Sequence, residues 1–510
     1  MTNETVAIIG AGPSGLVAAR YLKSRNFVPT VFESHSDIGG QWNVNNPNSG
    51  IWPQMRTNTS KAVTKFSDVQ YPPHVPMFPR NSDVLAMLND FANMHELRSL
   101  CRFGVTVTKL DAVQDGYEIT SQSGDGMRCD FFDRVVIASG RFNLPEIPII
   151  PGLNDFSGEC GVIHAFDYKH PERYRDKNIV VLGGSISALE VASDQSMMGT
   201  GRVYLSQRRQ RYVLPKIFTG TPLEYIALTR ENAIAYSTIQ KNERLEKLKE
   251  LVLTVSGDPS SYGAPKPNEH LDQFGLTASQ HYLSLVAEDR INVRPWVAEI
   301  KGTTVVFTDG SEIEADAIII ATGFDLNLPY ISDEIAKTIN LSTKRMELAE
   351  FTFHPDLPGL AFMGMWGQFG AFPVVLEQQA RWIAYSWSGA VPAACDAHLR
   401  DAVTACIAED HFGASRQQNE LALRFARLAK TDPSEITDPE LALIIDKSAV
   451  TGEMFRIVGT DSDPEAVARL CADFWTFAPA EVRAKVTESL VRPGEMERQS
   501  PVTGTQAAAE

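Results

Sequence analysis

Near the N-terminus, in VAIIGAGPSGLVAARYL, four apolar residues, Val6 to Ile9, run directly into Gly10, Gly12 and Gly15. No other feature restricts the fold of this chain as much. The pattern predicts a buried parallel strand that turns sharply into a helix. Gly10 permits the tight turn, Gly12 lets a pyrophosphate reach the backbone, and Gly15 lets the helix pack on the strand. The helix N-terminus then faces the phosphates with its positive dipole end. A glycine turn with no ligand is the plainer reading. The strand before it and the small and apolar helix Leu16 to Leu22 behind it favour the dinucleotide.

The next strand, Pro29 to Phe32, ends at Glu33, about twenty residues after the first glycine, where a carboxylate can accept hydrogen bonds from an adenosine ribose. A solvated strand-end acid is the alternative. IGGQW, Ile38 to Trp42, is a second glycine turn that would follow the dinucleotide toward its reactive ring. Trp52 to Asp68 breaks the α/β rhythm and places Asn58, Thr59, Ser60 and Lys61 in a loop and helix start, with Thr57 or Asn58 as N-cap. Ser82 to His95 reads as an amphipathic helix, and Cys101 to Leu110 with Gly116 to Gln122 as a strand pair. Arg134 to Pro148 is a further buried strand with a small-residue turn and a proline-rich crossing.

The opening pattern then recurs in NIVVLGGSISALEVA, with Gly183, Ser185 and Ala188 at the turn. Its partner strand, Val203 to Ser206, ends in Gln207, Arg208 and Arg209, which attract a 2'-phosphate where an acid would repel it. NADPH is therefore expected over NADH, with a solvated basic loop as the alternative. Tyr236 to Val252 reads as a surface helix. A hairpin around Asp309-Gly310 leads into DAIIIATGF, a buried strand expected to return the chain to the first domain, and Leu376 to Trp387 is expected to close the fold. Beyond Gly389 the pattern is helical, with Asp432-Pro433, Asp438-Pro439 and Asp463-Pro464 as helix starts and a disordered end, SPVTGTQAAAE. The expected units are 1–155 and 310–390 for the first nucleotide, 156–309 for the second, and a helical extension over 391–510.

Composition narrows the function classes. With 510 residues, 43% of them hydrophobic, the chain has core enough for two or three domains. A net charge of -16 without a basic stripe argues against nucleic acid and anionic lipid. The six cysteines form no CxxC pair, which suggests neither a disulfide framework nor a metal site and fits a reducing cytoplasm. No apolar run approaches the ~20 residues needed to span a bilayer, and no charged and apolar leader is expected before Val6.

Taken in order, these motifs make the chain resemble a flavin-containing monooxygenase, with an α/β fold of two Rossmann-like domains, the second inserted in the first. GAGPSGL, with Gly10, Gly12, Pro13, Ser14 and Gly15, resembles the family's FAD motif, and GGQW, with Gly40, Gln41 and Trp42, its flavin-proximal turn. TNTSK, with Asn58 and Thr59, resembles the active-site segment. GGSISA, with Gly183, Ser185, Ser187 and Ala188, LSQRR, and ATGF, with Ala321, Thr322 and Gly323, follow in family order. FSGECGVIHAFDY, with Phe156, Gly158, His164 and Tyr168, is similar to the identifying motif but carries two extra residues between glycine and histidine, so its turn must bulge.

The resemblance implies that NADPH reduces FAD and that dioxygen then forms a C4a-hydroperoxyflavin, which oxygenates a nucleophilic N or S atom of an amine, sulfide or N-hydroxy compound. Asn58 is the candidate catalytic residue, as a non-titrating hydrogen-bond donor. The alternatives are a Baeyer-Villiger enzyme acting on a ketone and a non-enzymatic flavin-binding, redox-responsive module. The sequence leaves homodimerisation open.

Overall fold

The computed structural model describes residues 4–270, 275–393, 396–408 and 416–490. Its frame is two five-stranded parallel sheets. The first takes β1 (Thr5–Ile9), β2 (Val28–Glu33), β3 (Cys101–Phe103) and β4 (Arg134–Ile137). The second takes β5 (Gly161–His164), β6 (Asn178–Leu182), β7 (Arg202–Ser206), β8 (Ile291–Arg294) and β9 (Ala317–Ile320). Only then does the chain complete the first sheet, with β10 (Leu360–Phe362). The spatial orders are β10-β4-β1-β2-β3 and β8-β7-β6-β9-β5, so the second sheet is inserted in the first. Val6 to Ile9, Ile179 to Leu182 and Ala317 to Ile320 are buried, as continuous apolar runs must be when helices and loops cover both sheet faces.

In both sheets the order reverses beside the strand that carries the glycine turn, at β1 and at β6. Ligands of open α/β sheets lie in the crevice at the carboxyl ends of the strands there. Helix α1 (Pro13–Lys23) follows β1 and α2 (Ile186–Met197) follows β6. A short helix, α3 (Glu224–Ala227), lies in the inserted part, and α4 (Phe372–Trp387) shares a core with α1.

Three expectations are corrected. The strand in DAIIIATGF is β9, and it pairs with β6 and β5 in the second sheet instead of leading back to the first. A four-residue apolar strand fits the middle of either sheet, and the turn after it, packed on Gly183, assigns it. The return comes at β10, later than the boundary placed at 310. Tyr236 to Val252 is two helices, Arg230–Thr238 and Lys241–Val255, with Val252 buried. Residues 52–68 form no helix. There the polar side chains satisfy loop backbone: Thr57 Oγ1 donates to the Thr59 carbonyl at 2.8 Å, and Thr64 Oγ1 donates to that of Ser60 at 2.9 Å.

The C-terminal helices α5 (Gln418–Leu428), α6 (Pro439–Lys447) and α7 (Ala466–Phe477) are integral to the first unit. Phe425, Ile444, Phe455 and Phe474 are buried in one core with Leu16, Tyr21 and Phe91. Of the three Asp-Pro pairs, Asp438 caps α6 by accepting the Glu440 and Leu441 N–H groups. Helix α7 starts only at Ala466, after Asp463, and Asp432 caps nothing and pairs with Arg230 at 3.1 Å and Arg427 at 3.2 Å. The segment SPVTGTQAAAE lies outside the described residues.

Ionic contacts tie these parts together. Asp68 pairs with Arg20 at 2.9 Å, Arg456 at 2.7 Å and His95 at 2.9 Å. Burial pushes the Asp68 carboxyl upward, but the His95 hydrogen bond and the two guanidiniums outweigh it and hold it well below the usual range. Among the described residues no helix is long and apolar enough to cross a membrane, and no group of three or more His, Cys, Asp or Glu is placed to hold a metal ion. Cys101, Cys129, Cys160 and Cys471 are free.

Candidate active site

The first glycine turn is built by close backbone approach. Gly10, at φ +108°, lies under the Ala138 carbonyl, where a Cβ would sit 2.6 Å from the oxygen. A Cβ on Gly15 would lie within 2.9 Å of the Gly10 carbonyl carbon and closer still to its oxygen. Gly12, the N-cap of α1, differs: a Cβ there would meet nothing nearer than Gly40 Cα at 3.5 Å. A Cβ on Gly12 would fit in ordinary contact with Gly40, and α1 begins, with Pro13 in its first turn, without a side-chain cap. A bare backbone at an uncapped helix start fits a pyrophosphate.

GGQW folds onto this turn. The Gly39 N–H donates to the Ala11 carbonyl at 3.0 Å, and Gly40 approaches Gly12 so closely that a Cβ on Gly40 would lie 2.9 Å from Gly12 Cα. Half-buried Gln41 donates to the Phe142 carbonyl at 2.7 Å, and Trp42 packs against the core. Glu33 is buried and accepts the Ala11 and His35 N–H groups, each at 2.8 Å. It therefore braces the turn, and each carboxylate oxygen retains acceptor capacity for a ribose hydroxyl. Sequence reasoning missed Gly364, in the turn after β10, where a Cβ would lie 3.1 Å from Ser14 Oγ. Two residues after an ordinary short strand, it had no motif to mark it.

The second turn repeats the design. Gly183, at φ +145°, lies under the Ala321 carbonyl, and a Cβ there would also lie 3.1 Å from Ala188 Cβ. Ala188 is buried, whereas Ser185, the N-cap of α2, and Ser187 are exposed at the mouth of the turn. Ala321 thus closes the second turn as Ala138 closes the first. Thr322 Oγ1 then donates to the Glu146 carbonyl at 2.5 Å, and the Glu146 N–H donates to that of Gly323 at 3.0 Å, which fastens the turn to the linker. Arg208 and Arg209 are exposed beyond β7, and the Arg208 guanidinium lies 4.5 Å over the Trp296 ring. Replacing both arginines by alanine is expected to raise the KM for NADPH roughly tenfold or more, the effect of losing charge-assisted hydrogen bonds to a phosphate, and to leave that for NADH nearly unchanged. Steady-state kinetics with both nucleotides checks it; equal effects would make the arginines surface charge.

The FSGECGVIHAFDY segment joins the units. The Phe156 ring and the Asp316 carbonyl fill the space beside Gly158, and the Gly161 N–H donates to the Gly158 carbonyl at 3.0 Å, so the two extra residues are absorbed in a closed turn. His164 ends β5, is buried, accepts the Phe166 N–H at 3.1 Å and stands edge-on to Phe324 at 5.1 Å. Burial lowers its pKa, and the hydrogen bond to the Gly323 backbone opposes that shift. Tyr168 is buried against Trp52 at 5.7 Å and Tyr174 at 6.0 Å. Lys169, unmarked by sequence reasoning, donates to the Ile51 carbonyl at 2.8 Å and also to that of Ser49. The motif thereby grips the loop that runs from GGQW to Asn58.

That loop holds the candidate oxygenation residues. Asn58 is half-buried, and its Oδ1 is buried without a hydrogen-bond partner. Thr59 Oγ1 lies 2.8 Å from Thr64 Oγ1, and the Thr57 N–H donates to the Pro79 carbonyl at 3.0 Å. Further on, Ser67 N–H donates to Glu377 at 2.9 Å, and Lys65 pairs with Glu453 at 2.7 Å.

Two glycine turns on interleaved parallel sheets, one backed by an acid and the other by arginines, define a two-dinucleotide flavoprotein oxidoreductase. The chain belongs to the flavin-binding monooxygenase-like family, whose model matches residues 3–465. It is similar to dimethylaniline monooxygenase (N-oxide-forming) 2 of Rattus norvegicus, 30% identical over 489 residues with 89% of each chain covered. Flavin-containing monooxygenase 2 of Homo sapiens is 28% identical over 485 residues, again with 89% of each covered. Among solved structures, S-allyl-L-cysteine S-oxygenase from Allium sativum gives a TM-score of 0.64 at 20% identity, covering 95% of this chain and 98% of that one. Cyclohexanone monooxygenase from Rhodococcus sp. Phi1 bound to NADP+ gives 0.62 at 16% identity, covering 84% and 97%. At these identities the two structures speak to the fold alone. The chain is an FAD-dependent NADPH monooxygenase.

Proposed function

We propose that this enzyme uses NADPH and dioxygen to oxygenate a nucleophilic nitrogen or sulfur of a small organic substrate. The observation that carries the reading is Asn58: a non-titrating amide, half-buried with its oxygen unpartnered, in a loop braced from both sides. Such an amide is set to donate and accept toward a ligand without changing charge. The N-oxide-forming relative, similar over most of the chain, supports nitrogen as the acceptor class.

In this reading Gly10, Gly12, Pro13, Ser14 and Gly15 hold the FAD pyrophosphate, Glu33 takes the adenosine ribose, and Gly40, Gln41 and Trp42 line the path to the ring. The turn at Gly183, Ser185, Ser187 and Ala188, with Arg208 and Arg209, holds NADPH. Ala321, Thr322 and Gly323 close that turn against the linker. Bound FAD, reduced by NADPH, supplies the oxygen-activating chemistry. The chain's own residues orient the ring, exclude water and, at Asn58, hold a hydrogen bond to the oxygen being transferred. We place this chemistry in a reducing compartment, which the unpaired cysteines support. An aerobic NADPH-consumption screen over amines, sulfides, N-hydroxy compounds and ketones tests it. Stimulation by amines or sulfides is expected; a response to ketones alone, with ester products, would replace it by Baeyer-Villiger oxygenation.

A further inference from the structure

We propose that Glu224 is a positioning residue of the oxygenation site: its buried carboxylate, brought from the inserted part of the chain, holds the backbone of the loop that presents Asn58. The inference rests on the reading of Asn58 given above.

Glu224 opens α3 and is 2% exposed. A carboxylate so buried loses its hydration and needs compensation. Its Oε1 accepts the Ser60 N–H at 2.5 Å, and among the described residues no Lys, Arg or His lies at ion-pair distance from it. The other carboxylates that grip this loop are balanced differently. Glu453 lies 2.7 Å from Lys65 Nζ, and Glu377 receives the Tyr21 O–H at 2.7 Å as well as the Ser67 N–H and hydroxyl. Glu224 is thus buried without a counter-charge and directed at one segment of backbone. Burial raises its pKa, and the hydrogen bonds from Ser60 oppose that shift.

The consequence for Asn58 is geometric. The Thr57 N–H is tied to the Pro79 carbonyl at 3.0 Å, and the Ser60 N–H to Glu224. Between them Thr57 Oγ1 donates to the Thr59 carbonyl at 2.8 Å. The span 57–60 is closed at both ends, so Asn58 projects from a fixed backbone. Without Glu224 the Ser60 carbonyl keeps its bond from Thr64 Oγ1 and the Lys61 N–H keeps the Met77 carbonyl at 2.8 Å, but the Ser60 N–H loses its acceptor and the span its tie to α3. A displacement of about 1 Å in an orienting group can cost on the order of a hundredfold in rate.

The test uses the FAD-loaded enzyme with a turned-over sulfide or amine. It reads FAD content, the rate of flavin reduction by NADPH, and product and hydrogen peroxide formed per NADPH. Glu224→Ala is expected to keep FAD and the reduction rate while product per NADPH falls roughly tenfold, the effect of leaving one buried N–H without its acceptor. Glu224→Gln, whose amide oxygen still accepts, is expected to restore most of the coupling. Glu224→Ala combined with Asn58→Ala is expected to be no worse than Asn58→Ala alone, because residues acting as one unit are not additive. Full coupling in Glu224→Ala, equal damage in Glu224→Gln, or additive losses in the double variant would each overturn the proposal. Should Glu224→Ala not fold, Glu224→Asp takes its place: one methylene too short to reach Ser60, it is expected to be uncoupled, and full coupling there overturns the proposal. A coupled Asn58→Ala beside an uncoupled Glu224→Ala would overturn the route through Asn58 and, separately, the reading of Asn58 itself.

Discussion

Gly12→Ala is expected to yield a folded protein that does not retain FAD. The backbone at Gly12 is in the ordinary extended region at φ -75°, and an added Cβ meets nothing within 3.4 Å. The substitution therefore costs the apoprotein little. The new methyl lies against Gly40 at the start of α1, where in the proposed reading a pyrophosphate reaches the backbone N–H groups and a side chain is not tolerated. Gly15→Ala makes the informative contrast. Its Cβ is driven into the Gly10 carbonyl, so α1 must move off β1 and disturb Leu16, Val17 and Tyr21, all buried beneath it. Overpacking of this kind costs about 1–3 kcal/mol, so Gly15→Ala should lose both flavin and thermal stability. Flavin absorbance after gel filtration, with thermal melting of the apoproteins, checks the pair. A Gly12→Ala protein that keeps its flavin would place the pyrophosphate elsewhere.

The second large effect is expected at Asn58. Asn58→Ala removes an amide whose oxygen is buried and unpartnered, and leaves the braces at Thr57 and Ser60 intact. FAD and NADPH should bind as before, because the glycine turns and arginines are untouched, and flavin reduction should proceed at its normal rate. What is lost is the hydrogen bond that holds oxygen for transfer. NADPH oxidation should therefore continue with most reducing equivalents appearing as hydrogen peroxide, and product per NADPH should fall on the order of a hundredfold, the scale of losing a preorganised hydrogen-bonding group. Peroxide measured against product decides it. Unchanged coupling would remove Asn58 from the chemistry.

The nucleotide sites were legible because each glycine answers a local demand. Gly10, Gly15 and Gly183 are required by contacts that a Cβ would violate, and such demands leave a fixed spacing in the chain. The partners in those contacts left none. Ala138 and Ala321 supply carbonyl oxygens, which any residue could provide, so nothing in DAIIIATGF told which turn it closes. The same holds for the loop at 52–68. Thr57 or Asn58 reads as a helix cap, but Thr57 Oγ1 donates to the Thr59 carbonyl, Asn58 Oδ1 has no partner, and the Ser60 and Ser67 N–H groups go to Glu224 and Glu377, far away in sequence. Asp432 was misread as a cap for a related reason: its ion pair with Arg230 is a long-range contact, and local capping chemistry lost to it. The C-terminal helices were recognised as helices, but their burial with Tyr21 and Phe91 depends on tertiary packing that no motif announces.

The most direct test of heteroatom oxygenation is turnover of a dialkyl sulfide or tertiary amine with NADPH under isotopically heavy dioxygen, followed by mass spectrometry. One heavy oxygen atom in the sulfoxide or N-oxide for each NADPH consumed is the predicted result. Product carrying oxygen from water, or NADPH consumed with peroxide as the sole product, would contradict it.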